Sequence, residues 1–220
     1  MWVSDGSSSG GVENDQGFVD LLEQQDFLVS RVNFLGDGNA LTESERNLLN
    51  FADQGVVSRD TLSGNYNDAA GMNGLTAPLI NLNPYLARTS RWNWVPFSDM
   101  YFTAGALLPE IPDDAIFHGV TRNVIGDVPF VTTTIKTPDI LGIANGDFLG
   151  SPLFSESRLR IQRWLASTPF NFESTASAAG PRMLLPIGQI GTKGSATIGR
   201  YNLTADGARI FVNSMDNLKR

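Results

Sequence analysis

Apolar side chains recur near helical spacing at Phe18, Leu21, Leu22, Leu28, Val29 and Val32, with Asp20, Glu23 and Asp26 between them. This pattern predicts an amphipathic helix that starts at a cap supplied by Asn14 or Asp15 and stops at Gly36-Asp37-Gly38. A second helix is predicted from Thr42-Glu43-Ser44-Glu45, where the Thr42 hydroxyl can accept from an early amide while Glu45 reaches back. Leu48, Leu49 and Ala52 form its apolar stripe, and Gly55 is placed to end it. Beyond about residue 60 the rhythm shortens. Ser63-Gly64-Asn65, Gly71-Met72-Asn73-Gly74 and Asn81-Leu82-Asn83-Pro84 are closely spaced turn signals. Residues 91–97 alternate aromatic with polar before Pro96, as an edge strand would, and 128–137 are rich in β-branched residues. Residues 196–203 and 208–213 flank Thr204-Ala205-Asp206-Gly207 and read as a β-hairpin. The stretch 155–167 fits either a strand or a helix, with strand preferred.

These elements predict an α+β fold: two short N-terminal helices followed by a dominant antiparallel β body, sandwich or barrel-like. The expected organisation is a flexible Gly/Ser-rich arm over 1–16 carrying Trp2 and Val3, an acidic helical hairpin over 17–62, and a β-rich body over 63–220.

Composition narrows the function. The 220 residues carry a formal net charge of -7. The first 110 hold 5 arginines, no lysine and 14 acidic residues, whereas the rest hold 11 basic and 9 acidic. Such a balance disfavours wrapping nucleic acid and permits head-to-tail contact between copies. No apolar run is long enough for a membrane helix, and the start lacks the pattern of a secretory signal. With no cysteine and a single His118, thiol chemistry and the usual zinc ligand sets are excluded.

Candidate chemistry is sparse. Ser151 and Ser195 follow glycines without a base nearby in sequence, and His118 reads as an ordinary side chain of a strand region. Asp37-Gly38-Asn39 lacks the spacing of a calcium loop. Glu110, Asp113 and Asp114 stand beside Pro109 and Pro112 and read as an acidic turn; the sharper alternative is a carboxylate pair for glycoside hydrolysis. The glycine-rich 187–195 lacks the residue order of a phosphate-binding loop and reads as a connection between strands. Arg158, Arg160 and Arg163 with Trp164 form the basic cluster of note.

The expectation is therefore a non-enzymatic assembly protein, of the kind found in virions as a capsid, neck, tail or baseplate component. It would work through contacts with its own copies and other subunits, without cofactor, metal or evident small-molecule substrate. The candidate subunit interface is Arg158, Arg160, Arg163, Trp164, Trp92 and Trp94. Two alternatives stand beside it: a carbohydrate-binding or glycoside-hydrolysing β domain with the aromatics as a sugar platform, and an accessory subunit of a large cellular complex. The expected location is the virion under the first reading and the cytoplasm otherwise.

Overall fold

The computed structural model describes the chain except for residues 35–39, 97–98, 139–144, 153–157, 159, 193–194 and 219–220, and the side chain of residue 104. The expected helix stop at Gly36-Asp37-Gly38 and the loop Asp37-Gly38-Asn39 lie outside the described residues, as do Phe97, Leu159 and Lys193.

The N-terminal half alternates short strands with short helices. β1 (Trp2–Val3) leads through the small hairpin β2 (Ser8–Ser9) and β3 (Val12–Glu13) to α1 (Gln16–Glu23) and β4 (Arg31–Val32). Then come α2 (Glu43–Phe51), β5 (Gly55–Val57), α3 (Ala69–Asn73), β6 (Leu79–Asn81) and α4 (Pro84–Ala87). The second half supplies β7 (Met100–Pro109), a 3-10 turn over Ala115–Phe117, β8 (Val128–Pro138), β9 (Asp147–Pro152), β10 (Ile161–Trp164), β11 (Arg182–Leu184) and α5 (Ala205–Asn217). One mixed sheet takes nine of the strands in the order β4-β1-β5-β6-β11-β10-β9-β7-β8. From β4 to β11 neighbours run parallel; from β11 to β8 they run antiparallel.

This overturns the expected two helices ahead of a sandwich or barrel. Trp2 and Val3, assigned to a flexible arm, form an inner strand between β4 and β5 and are fully buried. The expected helix through Val32 ends at Glu23: Asp26 adopts φ 64°, and Arg31 and Val32 pair with Trp2 and Val3. A strand thus separates α1 from α2, so no helical hairpin forms. No hairpin forms at 196–213: residues 196–203 hold a turn and a single bridge from Leu203 to Val131, and 205–213 belong to helix α5. Thr204 caps it by accepting from the Gly207 amide at 3.0 Å, and Ile210, Phe211, Ser214 and Met215 form its buried stripe. Gly207 serves close packing and makes no turn, since a Cβ there would strike the Phe130 carbonyl.

The two faces of the sheet follow the strand period of two. Trp2, Val56, Ile80 and Met183 point to one face, where Phe18 and Leu22 of α1 and Phe211 of α5 cover them. Val3, Val57, Leu79 and Leu184 point to the other, beneath Leu49 of α2, Met72 of α3 and Leu86 of α4. That second core holds the tryptophans. Trp94 stacks on Phe170 with centroids 5.4 Å apart and lies 5.2 Å from Trp92 and 5.5 Å from Trp164. Their indole N–H groups donate to the Tyr66 carbonyl, Asn73 Oδ1 and the Phe170 carbonyl, so all three rings are satisfied inside the chain. Trp92 and Trp94 thus lie in irregular backbone and not in an edge strand.

Candidate functional site at the carboxyl ends of the parallel strands

The chain leaves β1 to one side for β4, then crosses back to place β5 on the other side. In open sheets with parallel strands, ligands bind outside the carboxyl ends of the strands where the order reverses in this way. Here the residues that follow β1 and β5 are Ser4-Asp5-Gly6-Ser7 and Ser58-Arg59-Asp60-Thr61. The segment after β6, Leu82-Asn83-Pro84-Tyr85, lies alongside.

Asp15 is the hub of this cluster. It stands at the N-cap position of α1, as its place in the sequence predicted, yet its side chain makes no cap hydrogen bond. Its carboxylate, 0% exposed, accepts instead from Trp2 Nε1 at 2.8 Å, Ser4 Oγ at 2.8 Å and Ser58 Oγ at 2.6 Å. Arg31 donates to the second oxygen at 2.7 Å and also pairs with Glu13. One carboxylate therefore ties the ends of β1, β4 and β5 together. Ser4 and Ser58 both donate to Asp15, whereas His118 lies exposed after the 3-10 turn between β7 and β8.

Asp60 lies next to this hub. The Ser7 amide donates to its Oδ2 at 2.8 Å, and its own amide donates to Ser58 Oγ at 3.0 Å. Burial pushes its pKa up to about 6, helped by the nearby charges of Asp15 and Asp5 and opposed by the hydrogen bonds from Ser7. A carboxyl shifted this far is mostly ionised at neutral pH and takes up a proton in mild acid. Asn83, fully buried, donates to the Thr61 carbonyl and hydroxyl and accepts from the Tyr85 amide at 3.1 Å.

Arg59 points to the other side of the strand ends. It is 6% exposed, and its guanidinium carbon lies 5.1 Å from the centre of the Tyr85 ring. Burial lowers its pKa from the usual arginine value, with Tyr85 and Asp60 acting in the opposite direction. Arg88 places its guanidinium 5.2 Å from the same ring, and the positive charge of Arg91 reaches Arg88. The glycine-rich loop closes over this corner. A Cβ at Gly188 would come within 2.9 Å of Arg59 Cβ, and one at Gly199 within 2.7 Å of Asp60 Cβ. Both glycines have positive φ, 87° and 74°, and Gly188 N donates to Asn202 Oδ1.

The residues expected at a subunit interface are placed otherwise. Trp92, Trp94, Trp164 and Arg160 are fully buried core, and burial lowers the Arg160 pKa to about 10. Arg163 is held within the chain by Asp114 and Asp147, each at 2.8 Å. Half-buried Arg158 stacks its guanidinium over Tyr101 at 4.6 Å. The three arginines therefore do not present one basic face. Asp114 also caps the 3-10 turn, and Glu110 accepts from Ser151 Oγ at 2.6 Å. With the tryptophans inside, the described residues offer no sugar platform from Trp92 and Trp94. No group of three or more metal-ligating side chains occurs among the described residues, and no helix there is long and apolar enough to cross a membrane.

The fold belongs to the class of mixed sheets covered by helices on both faces, with a polar cluster where the parallel strands end. A solved structure described as a cytoplasmic protein, STM3548, from Salmonella typhimurium has this fold: TM-score 0.62 at 10% identity, covering 100% of this chain and 98% of that one. At that identity the likeness concerns the fold alone. No protein-family model and no curated protein matches the chain.

Proposed function

We propose that this chain is a small-molecule-binding domain whose ligand sits at the carboxyl ends of β1, β5 and β6. The observation that carries this reading is the gathering of Ser4, Asp15, Ser58, Asp60 and Asn83, with Arg59 on the other side of the same strand ends, all nine-tenths or more buried, at the point where the strand order reverses. A fold in need only of stability would fill these positions more cheaply with apolar side chains, because buried polar groups must each find a partner. Asp60 adds a group able to take up a proton in mild acid. The test is ligand-observed NMR of the intact chain against a pooled library of small carboxylates, phosphates, neutral sugars and nucleosides. Asp60→Asn and Asn83→Ala are expected to abolish the hits. Hits that persist unchanged in both variants, or their complete absence, would overturn the reading.

Assembly with other copies or subunits is the second reading, and a different observation favours it. At the opposite, amino ends of the strands, Leu28 and Phe51 are 98% and 94% exposed beside a cavity of about 780 Å³ floored by Trp2, Leu22 and Val56. Exposed apolar rims of this kind mark contact surfaces. Sedimentation of the parent chain beside Phe51→Asp tests it: a parent that oligomerises and a variant that does not support assembly, and a monomeric parent overturns it.

A further inference from the structure

We infer that the ligand of the carboxyl-end cluster carries an oxyanion, a carboxylate or a phosphate, received by Arg59 with Arg88 and Arg91 beside it. This inference rests on the reading above that the cluster binds a small molecule, and it assigns the chemical class.

Arg31 and Arg163 each meet two carboxylates. Arg182, as buried as Arg59, donates to the carbonyls of Met72, Asn73, Leu75 and Ala77. Arg59 receives no such treatment. Its buried Nε has no hydrogen-bond partner, as is true of Arg182, but among the described residues neither a carbonyl nor a carboxylate accepts from the rest of the Arg59 guanidinium. Asp60 stands next in sequence, but its Oδ2 takes the Ser7 amide. The Tyr85 ring offers a cation–π contact, which is weaker than the cost of burying an unpaired charge.

Arg88 and Arg91 extend the pattern. Among the described residues Arg88 donates to its own turn, at the Tyr85 carbonyl, and Arg91 to the Ser90 carbonyl, with its buried Nε unpartnered. In a chain with 23 acidic against 16 basic residues, carboxylate partners are plentiful. Three arginines of one corner that take none among the described residues, one of them at the carboxyl end of β5, form a site set up for an anion from outside. A guanidinium offers a planar fork that matches carboxylate and phosphate oxygens.

The buried Nε–H of Arg59 gives a direct readout by NMR, assigned through its loss in Arg59→Lys. Inorganic phosphate and acetate are titrated separately into the intact parent chain, with sodium chloride at matched ionic strength as control. The inference predicts a saturable shift of this signal with phosphate or acetate and none with chloride; the stronger of the two identifies a phosphoryl or a carboxylate ligand. Arg59→Gln should lower the affinity at least tenfold. The surface double variant Arg88→Gln/Arg91→Gln should also lower it, and it keeps the test decisive if Arg59→Gln fails to fold. If the Arg59 signal ignores both oxyanions while neutral library members still bind the parent and lose affinity in Asp60→Asn, the anion assignment is wrong and the binding reading stands. If nothing binds at all, both fall.

Discussion

Asp15→Ala removes the acceptor on which four donors converge, and its cost can be worked from the contacts. Trp2 Nε1 is fully buried and has no other partner, so stranding it costs about 2 kcal/mol, the middle of the range of about 1–3 kcal/mol for an unsatisfied buried donor. Ser4 and Ser58 keep the bonds they accept, from the Gly6 and Asp60 amides, and their hydroxyls can rotate; each falls at the lower end, about 1 kcal/mol. Arg31 retains Glu13 and Gln16 and adds little. The expected loss is about 4 kcal/mol, which for a chain of this length lowers the melting temperature by about 8–16 °C. Asp15→Asn, which keeps the volume and one acceptor oxygen, should lose about half as much. Urea unfolding followed by tryptophan fluorescence measures both, read as a change in midpoint at constant slope. A loss below about 1 kcal/mol for Asp15→Ala would refute the claim that this carboxylate ties three strand ends together.

Asp60 gives a pH signature. Its folded pKa, about 6, lies above the ordinary value of 3.8, so between those pH values the folded state holds a proton that the unfolded state has released. The group's contribution therefore falls as pH rises through that window and is flat above it. The stability of Asp60→Asn relative to the parent should rise from pH 4 to 6 and then level; a pH-independent difference would contradict the shift. Gly199→Ala forces a Cβ within 2.7 Å of Asp60 Cβ at a φ of 74° and should destabilise by about 1–3 kcal/mol in the same urea assay. Thr42→Ala removes a cap that accepts from Glu45 N at 3.2 Å, while Glu45 Oε2 accepts from Thr42 N at 2.7 Å; it should cost about 0.5–2 kcal/mol.

What the sequence revealed depended on the length over which a pattern could act. The reciprocal cap at Thr42 and Glu45 needs four residues and was readable. The eleven residues of β8 carry enough β-branched side chains to announce a strand, and Ile161–Trp164 is the strand within the ambiguous 155–167. The parallel strands have only two or three residues each, too few to show alternation, so the helical periodicity of α1 runs on in the sequence through Arg31 and Val32 although the helix does not. At Asp206-Gly207 a turn signal was in fact the first turn of a helix, with its glycine needed for contact with Phe130. The candidate site has no spacing motif because the sheet gathers it from distant segments. A faint signal existed: Trp-Val-Ser-Asp, Val-Val-Ser-Arg-Asp and Leu-Ile-Asn-Leu-Asn each join a short apolar run to small polar or acidic residues. That recurrence is what strands ending in a shared polar cluster look like in one dimension.

The central claim is that the strand ends at the reversal of order form the ligand site, and amide chemical-shift mapping of the intact chain tests it most directly. With the pooled library of small carboxylates, phosphates, sugars and nucleosides added, the account predicts shifts concentrated at Asp5, Gly6 and Ser7, at Ser58 to Thr61, at Tyr85 and at Gly188. Shifts concentrated around Leu28 and Phe51 instead, or no shifts from any member of the library, would contradict it.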